Sequence, residues 1–209
     1  LSIQSCVSPR DRSIKEWEAL EKQNQDWEVV KKDKKEEPTW IIYTRKIAGT
    51  NFLEYKIEGN IESTPEACFS SFKQDIHDLA DQSSKKYPTY EIVEQSKESL
   101  LTYVIHKEPF PFKNTEMSVR YRFLSEADGS RAVQWTEAWD EYPVQPSKKL
   151  KRVQTFRGAW YFVPVSGQSC KAVNSVQFDP LKMPLLLVEP MVFNFLKNGL
   201  QDIREWTGK

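Results

Sequence analysis

Few residues in this chain are of types that do chemistry. There are two histidines, His77 and His106, and three cysteines, Cys6, Cys68 and Cys170. In DIHD (Asp75–Asp78) a helical turn puts Asp75 and Asp78 on one face and His77 off it, which does not make a metal site. His106 stands beside Lys107 and Glu108 at the end of a strand-like run and reads as a surface residue. The cysteines are odd in number, widely spaced and without a CxxC pair, so neither a disulfide framework nor a zinc site is expected, while a single Cys68–Cys170 bridge stays open. No GxSxG, HExxH, P-loop or GxGxxG pattern occurs. What remains are polar groups set among apolar ones. In VQWTEAWD, Glu137 alternates with Val133, Trp135 and Trp139; in a later run Arg157 shares a face with Val153, Ala159 and Tyr161. A hairpin between these runs brings Glu137 near Arg157. If both point inward, they form a charged pair in apolar surroundings, a costly arrangement that suits orienting a ligand head group. If the second run has the opposite phase, Phe156, Trp160 and Phe162 turn inward and the pair lies in solvent. An enzyme would need an acid or base here, and Glu137, Tyr121 and Tyr103 are the candidates.

The elements that position these groups follow from periodicity. Arg10–Gln23 spaces Ile14, Trp17 and Leu20 by three and predicts a short amphipathic helix. Trp40–Ile47 is β-branched and aromatic, and Phe52–Ile61 alternates Leu53, Tyr55 and Ile57 with Glu54, Lys56 and Glu58, the pattern of a half-open sheet. Ser63–Asp81 predicts a helix with Thr64 as N-cap, Pro65 at its first position and a buried stripe of Cys68, Phe69, Phe72, Ile76 and Leu79. Strand-like runs then follow without room for helices: Tyr90–Gln95, Leu100–Lys107, Glu116–Leu124, Arg131–Tyr142, Arg152–Pro164 and Lys171–Asp179. In the third of these, Met117, Val119, Tyr121 and Phe123 are expected inward and Ser118, Arg120 and Arg122 in water. The fold class is α+β: an antiparallel sheet of about nine strands, strongly curved, with Gly158 as a point of curvature.

One segment stands apart from a chain of mean hydropathy −0.64 and 29 % charged residues: KMPLLLVEPMVFNFL, Lys182–Leu196. It is shorter than the ~20 apolar residues a membrane span needs, and Glu189 and Asn194 interrupt it. It opens a C-terminal helix from about Pro184 to Trp206, with Pro190 inside it. Val188, Val192, Phe195, Gly199, Ile203 and Trp206 make one stripe, and Leu187, Met191 and Leu200 widen it. A helix this apolar must be covered all round or touch a ligand or a membrane. Lys+Arg and Asp+Glu are both 30, so charge argues for no nucleic-acid partner. The mixed run Lys31–Glu37 reads as a solvated loop.

DWEVVKKD followed by WIIYTRKIAGTNFLEYKIEGNIESTPEACFSSFKQD resembles the opening of the START domains, the lipid-binding helix-grip proteins, and their bacterial members in particular. KEPFPFKNTEMSVRYRF is similar to that family's K-x-P-x-P stretch. RVQTFRGAWYFVP matches its vR…g-x-W-x-x-x-P, with Arg152, Gly158, Trp160 and Pro164 in place, and VNSVQFDPLKMPLLL matches the step into the closing helix. Two departures stand out: Thr115-Glu116 replaces an Arg-Asp pair, and Lys182 replaces a Gly. The resemblance covers residues 26–206 and implies a domain over 26–209, preceded by a leader and short helix at 1–25. It also implies a tunnel between sheet and closing helix that holds a lipid or sterol-like ligand for transport or sensing, without catalysis, cofactor or metal; polyketide cyclases on the same scaffold are the alternative.

The expected ligand-binding set is Tyr103, Met117, Val119, Tyr121, Phe123, Trp135, Glu137, Arg157, Leu187, Met191 and Phe195. A monomer making transient membrane contact is expected. The tetrapeptide IQSC (Ile3–Cys6) and the absence of an initiator methionine suggest export in a bacterium, with a lipid on Cys6 as one route.

Overall fold

The computed structural model describes residues 27–47, 53–82, 84–108, 110–178 and 185–208, and for Phe178 the backbone alone. The expected helix at Arg10–Gln23, the IQSC segment and Pro184 lie outside the described residues. The strands are β1 (Glu28–Lys32), β2 (Ile41–Lys46), β3 (Leu53–Ile61), β4 (Thr89–Gln95), β5 (Ser99–His106), β6 (Thr115–Ser125), β7 (Arg131–Glu137), β8 (Lys151–Arg152), β9 (Phe156–Ser166) and β10 (Ser169–Phe178). The helices are α1 (Pro65–Asp81) and α2 (Leu185–Thr207). Nine strands form one antiparallel path, β1-β2-β3-β10-β9-β7-β6-β5-β4, and the two-residue β8 pairs in parallel with β6. The helix-grip architecture expected from the sequence is present.

Alternation sorts the strands into two faces. Ile57, Leu100, Val119, Val133, Trp160, Phe162, Ala172 and Val176 share the inner core with both helices, and a small outer cluster joins Ala132, Ala159, Tyr161 and Val173. In β6, Met117, Val119, Tyr121 and Phe123 all belong to the inner face, as expected. The outer phase is not all in water, however. Arg120 pairs with Glu94 and Glu141, while Ser118 and Glu116 are buried.

α1 starts as its sequence dictates. Thr64 Oγ1 accepts the Ala67 N–H at 3.2 Å, Pro65 needs no partner for a missing N–H, and Glu66 at the positive end of the helix pairs with Arg131 at 2.6 Å. Its inward side chains meet β6: Phe69 packs edge-on against Phe123 and Phe72 against Tyr121. α2 buries Val188, Leu196, Leu200 and Ile203. Leu200, expected as a widening residue, is core: a Cβ on Gly59 would lie 2.7 Å from its Cδ2. Phe195, which shares the expected stripe with Val188 and Ile203, is exposed where those two are buried. No helix among the described residues is long and apolar enough to cross a membrane.

Three local readings change. β1 adds a strand that alternation does not announce, because all of its residues are exposed. The run Arg152–Pro164 is broken between β8 and β9, and the run Arg131–Tyr142 stops at Glu137. Trp139 lies in the turn that follows, where its indole N–H donates to Val153 O at 2.8 Å and the Arg152 guanidinium stacks 3.9 Å from its ring centroid.

Candidate ligand-binding site

The register locates the expected residues relative to two rims. One rim carries the β5–β6 connection and the segment 138–155; the opposite rim carries the β4–β5 and β6–β7 turns. α2 runs from the first rim, where the Tyr55 hydroxyl donates to Glu189 at 2.9 Å, toward the second, where Arg204 donates to the carbonyls of Thr39 and Asn60, each at 2.7 Å.

Near the first rim the inner face is aromatic. Tyr121 lies across the ladder from Trp135, with ring centroids 6.5 Å apart, and Phe156 is 6.0 Å from Trp135. Trp135 is opposite Gly158, and its indole covers the space a side chain would fill: a Cβ there would lie 2.4 Å from Trp135 Cζ2. Only glycine admits this close approach. The indole N–H is buried and has no hydrogen-bond partner among the described residues. An unmet buried donor is costly and asks for a partner.

Glu137 continues the inner phase of β7 and lies next to Val119 of β6. Arg157 has the opposite phase, beside Ala159 and Tyr161, so Phe156, Trp160 and Phe162 are the inward residues of β9. The pair still forms, because Arg157 reaches round the strand end: its Nε donates to both Glu137 carboxylate oxygens at 2.8 and 3.0 Å, and the Phe156 N–H donates to one of them. Burial pushes the Glu137 pKa up, but these hydrogen bonds outweigh it and hold the carboxyl below its ordinary range. Arg157 is therefore an outer-phase residue that anchors Glu137. Burial drives the Tyr121 phenol up to about 12. The ordinary protonation states are thus a carboxylate at Glu137 and a neutral phenol at Tyr121.

Tyr103 departs from the expected set. It pairs with Ser118 on the outer face, where its hydroxyl donates to Glu116 at 2.9 Å and its ring meets Tyr142. Glu116 is 1 % exposed and also accepts from Arg152 Nε at 3.0 Å, and Arg152 donates to Val144 O. This network ties the segment 138–155 to the back of the sheet. Phe123 is on the inner face but lies under α1, away from the aromatic group at the first rim.

α2 carries the remaining expected residues. Leu187, Met191 and Phe195 are 55 %, 45 % and 48 % exposed, and Leu186 is 83 % exposed. They follow the spacing i, i+4, i+8, and the same flank continues to Asp202. Asp202 is near enough to Asp75 of α1 to help raise its pKa, behind the larger effect of burial, to about 6. The flank therefore faces the side on which α1 lies over β6, not the side seated on β3. Phe110 and Phe112, in the β5–β6 connection at the first rim, are also exposed. Phe156, inward only in the alternative phase of its run and absent from the expected binding set, is a member of the aromatic group. Its alternation with Gly158 and Trp160 was the available signal. No group of three or more His, Cys, Asp or Glu among the described residues is placed to hold a metal ion.

A curved antiparallel sheet with a long helix held in its concavity is the helix-grip fold, and this chain has the version found in START domains. No family model matches the chain and no curated protein sequence matches it. Among solved structures it is similar to a STAR-related lipid transfer protein from Xanthomonas axonopodis, with TM-score 0.68 and 15 % identity over 88 % of this chain and 100 % of that one. It is similar to human StAR-related lipid transfer protein 5, with TM-score 0.71 and 10 % identity over 92 % of each chain. A Thalictrum norcoclaurine synthase, solved with a transition-state analogue, is similar at TM-score 0.50 and 15 % identity over 75 % of this chain and 94 % of that one. At these identities the likeness is one of fold.

Proposed function

We propose that the protein binds a lipid or another hydrophobic ligand between the inner aromatic group of the sheet and the amino-terminal half of α2, for transport or sensing. The apolar flank Leu187–Met191–Phe195 carries this reading: three large side chains are left about half open to water on a helix that seats Val188, Leu196, Leu200 and Ile203 in the core. About half of each is already covered, so burying the rest gains about 1 kcal/mol per side chain, and a ligand tail that covers them is stabilised. Met191 adapts to tails of differing shape. Met117, Val119, Tyr121 and Trp135 supply the facing wall, and Glu137, anchored by Arg157, is the polar group placed to meet a head group. Glu137 accepts hydrogen bonds, and the unmet Trp135 N–H is a donor for the same head group. Exposed Phe110, Phe112 and Leu186 suit transient contact with a bilayer during exchange.

Catalysis on this scaffold, as in a polyketide cyclase, is the second reading. The likeness in fold to a synthase keeps it in view. Glu137, ionised and engaged by Arg157, and Tyr121, with its raised pKa, give it neither a poised acid nor a poised base.

Native mass spectrometry of the purified protein tests the first reading by the mass of a retained lipid. Its partner is the double substitution Met191→Asp/Phe195→Asp, both at exposed positions, with a fluorescent lipid as probe. Retained folding with at least tenfold weaker binding is expected, since an ionised carboxylate against a tail costs several kcal/mol. Unchanged binding in the folded variant would place the ligand elsewhere.

A further inference from the structure

A concavity lies at the opposite rim, where α1 crosses the start of β5. Its volume is about 470 Å³, within the range of small-molecule sites. Its floor is apolar: Leu100 and Phe123, both buried. Its walls carry basic side chains. Lys73 and His77, one turn apart on α1, enter from one side, and Lys97 enters from the tip of the β4–β5 turn. No carboxylate lines it, and Lys73 acts on Glu66 of the same helix, whose carboxyl is held below its ordinary range by Arg131 and, behind it, by this ammonium. The Lys73 ammonium lies 4.5 Å from the Phe123 ring centroid, so its charge is held over the floor. The turn is built to stay in place. Ser96 Oγ accepts the N–H groups of Glu98 and Ser99, and Glu98 O accepts the Phe123 N–H at 2.8 Å.

Two lysines and an imidazole without a carboxylate among them match a group with more than one negative charge. A phosphate monoester carries about −1.5 to −2 at neutral pH and three strong acceptor oxygens. The geometry points to this concavity as a binding site for a phosphomonoester. The phosphate is held by Lys73, Lys97 and His77 above the closed floor of Phe123 and Leu100. Because the site lies across the sheet from the aromatic rim, it is separate from the proposed lipid site. The same phosphate chemistry is offered by a soluble ester and by an anionic lipid head group.

The test titrates the full chain with phenyl phosphate by calorimetry, in parallel with co-sedimentation on vesicles of phosphatidylcholine with and without phosphatidic acid. The variants are Lys97→Ala, at an exposed turn, and Lys73→Met/Lys97→Met, each checked for unchanged thermal unfolding. Saturable binding of phenyl phosphate, weakened about tenfold by Lys97→Ala as one charge-assisted contact is lost, supports the site with a soluble ester. Binding only to phosphatidic acid vesicles, lost in both variants, supports it with a head group. Absence of both, or binding equal in wild type and Lys97→Ala, overturns it.

Discussion

Replacing Gly158 by alanine asks whether the aromatic group at the first rim is fixed by that glycine. An added Cβ would lie 2.3 Å from Ser175 O of β10 and 2.4 and 2.7 Å from Trp135 Cζ2 and Cε2. Ordinary contact begins near 3.5 Å, so each neighbour would have to give by about 1 Å. The carbonyl belongs to the β9–β10 ladder, where Ser175 pairs with Ala159, and cannot retreat alone. Overpacking of this kind costs about 1–3 kcal/mol, and with two clashes the upper end applies. For a chain of this length that is a fall in Tm of about 6–12 °C. Thermal unfolding by circular dichroism reads it. The double variant Gly158→Ala/Trp135→Leu separates the clashes, since it removes the indole and leaves the carbonyl. A coupling of at least about 1 kcal/mol is expected between the two changes. A cost below about 1 kcal/mol for Gly158→Ala, or purely additive effects, would show that the indole does not rest on this glycine.

Two further outcomes follow from buried charge. Asp75 titrates at about 6, above its ordinary 3.8, so the folded state binds the extra proton between those values and loses stability as pH rises through that window. Asp75→Asn should remove this fall and raise stability at pH 7 by about 1 kcal/mol once solvent screening of a partly exposed group is allowed for; urea unfolding at pH 4.5 and 7 measures both, and an unaltered pH slope would count against it. Glu116→Gln keeps the volume but leaves Arg152 without its counter-charge, and breaking a buried pair costs about 3–5 kcal/mol. Arg152 keeps Val144 O and the Trp139 ring, so a loss of about 2–3 kcal/mol is expected, read from urea midpoints at constant slope.

The fold was legible where one physical pattern dominated. Thr64, Pro65 and Glu66 mark the start of α1 by chemistry that works within one turn, and β6 alternates because one phase meets the core and the other carries arginines. The phase of β5 was not legible from its own residues. Thr102 and Val104 are buried on the inner face, but Leu101 of the outer phase is buried as well, and Tyr103 follows that outer phase, where Tyr142 of the segment 138–155 packs against it, so the face that alternation assumes to be wet is covered. The Glu137–Arg157 pair was legible as a proximity but not as a geometry. It joins residues of opposite phase at a strand end, where the ladder no longer dictates direction. Glu116 and Arg152 are 36 residues apart in sequence, and nothing local marks them as partners.

Pro190 divides α2 unequally. It has no N–H, so the Leu186 carbonyl receives no bond from the next turn, and the residues before it gain little from helix propagation. Beyond it, Leu200 on Gly59, Gly199 against Trp160 and Arg204 on two carbonyls tie the rest of the helix to the sheet. Opening free energy is thus graded along one continuous helix, low at Leu185–Glu189 and close to that of global unfolding near Ile203. Of the apolar flank, Leu187 falls in the loosely held portion, while Met191 and Phe195 lie beyond Pro190 on the better-held side. If the flank holds a ligand tail as proposed, the end of the tail at Leu187 is freed by local unwinding, whereas its release from Met191 and Phe195 is not, and substitutions that stabilise the carboxy-terminal half would slow the second step without slowing the first.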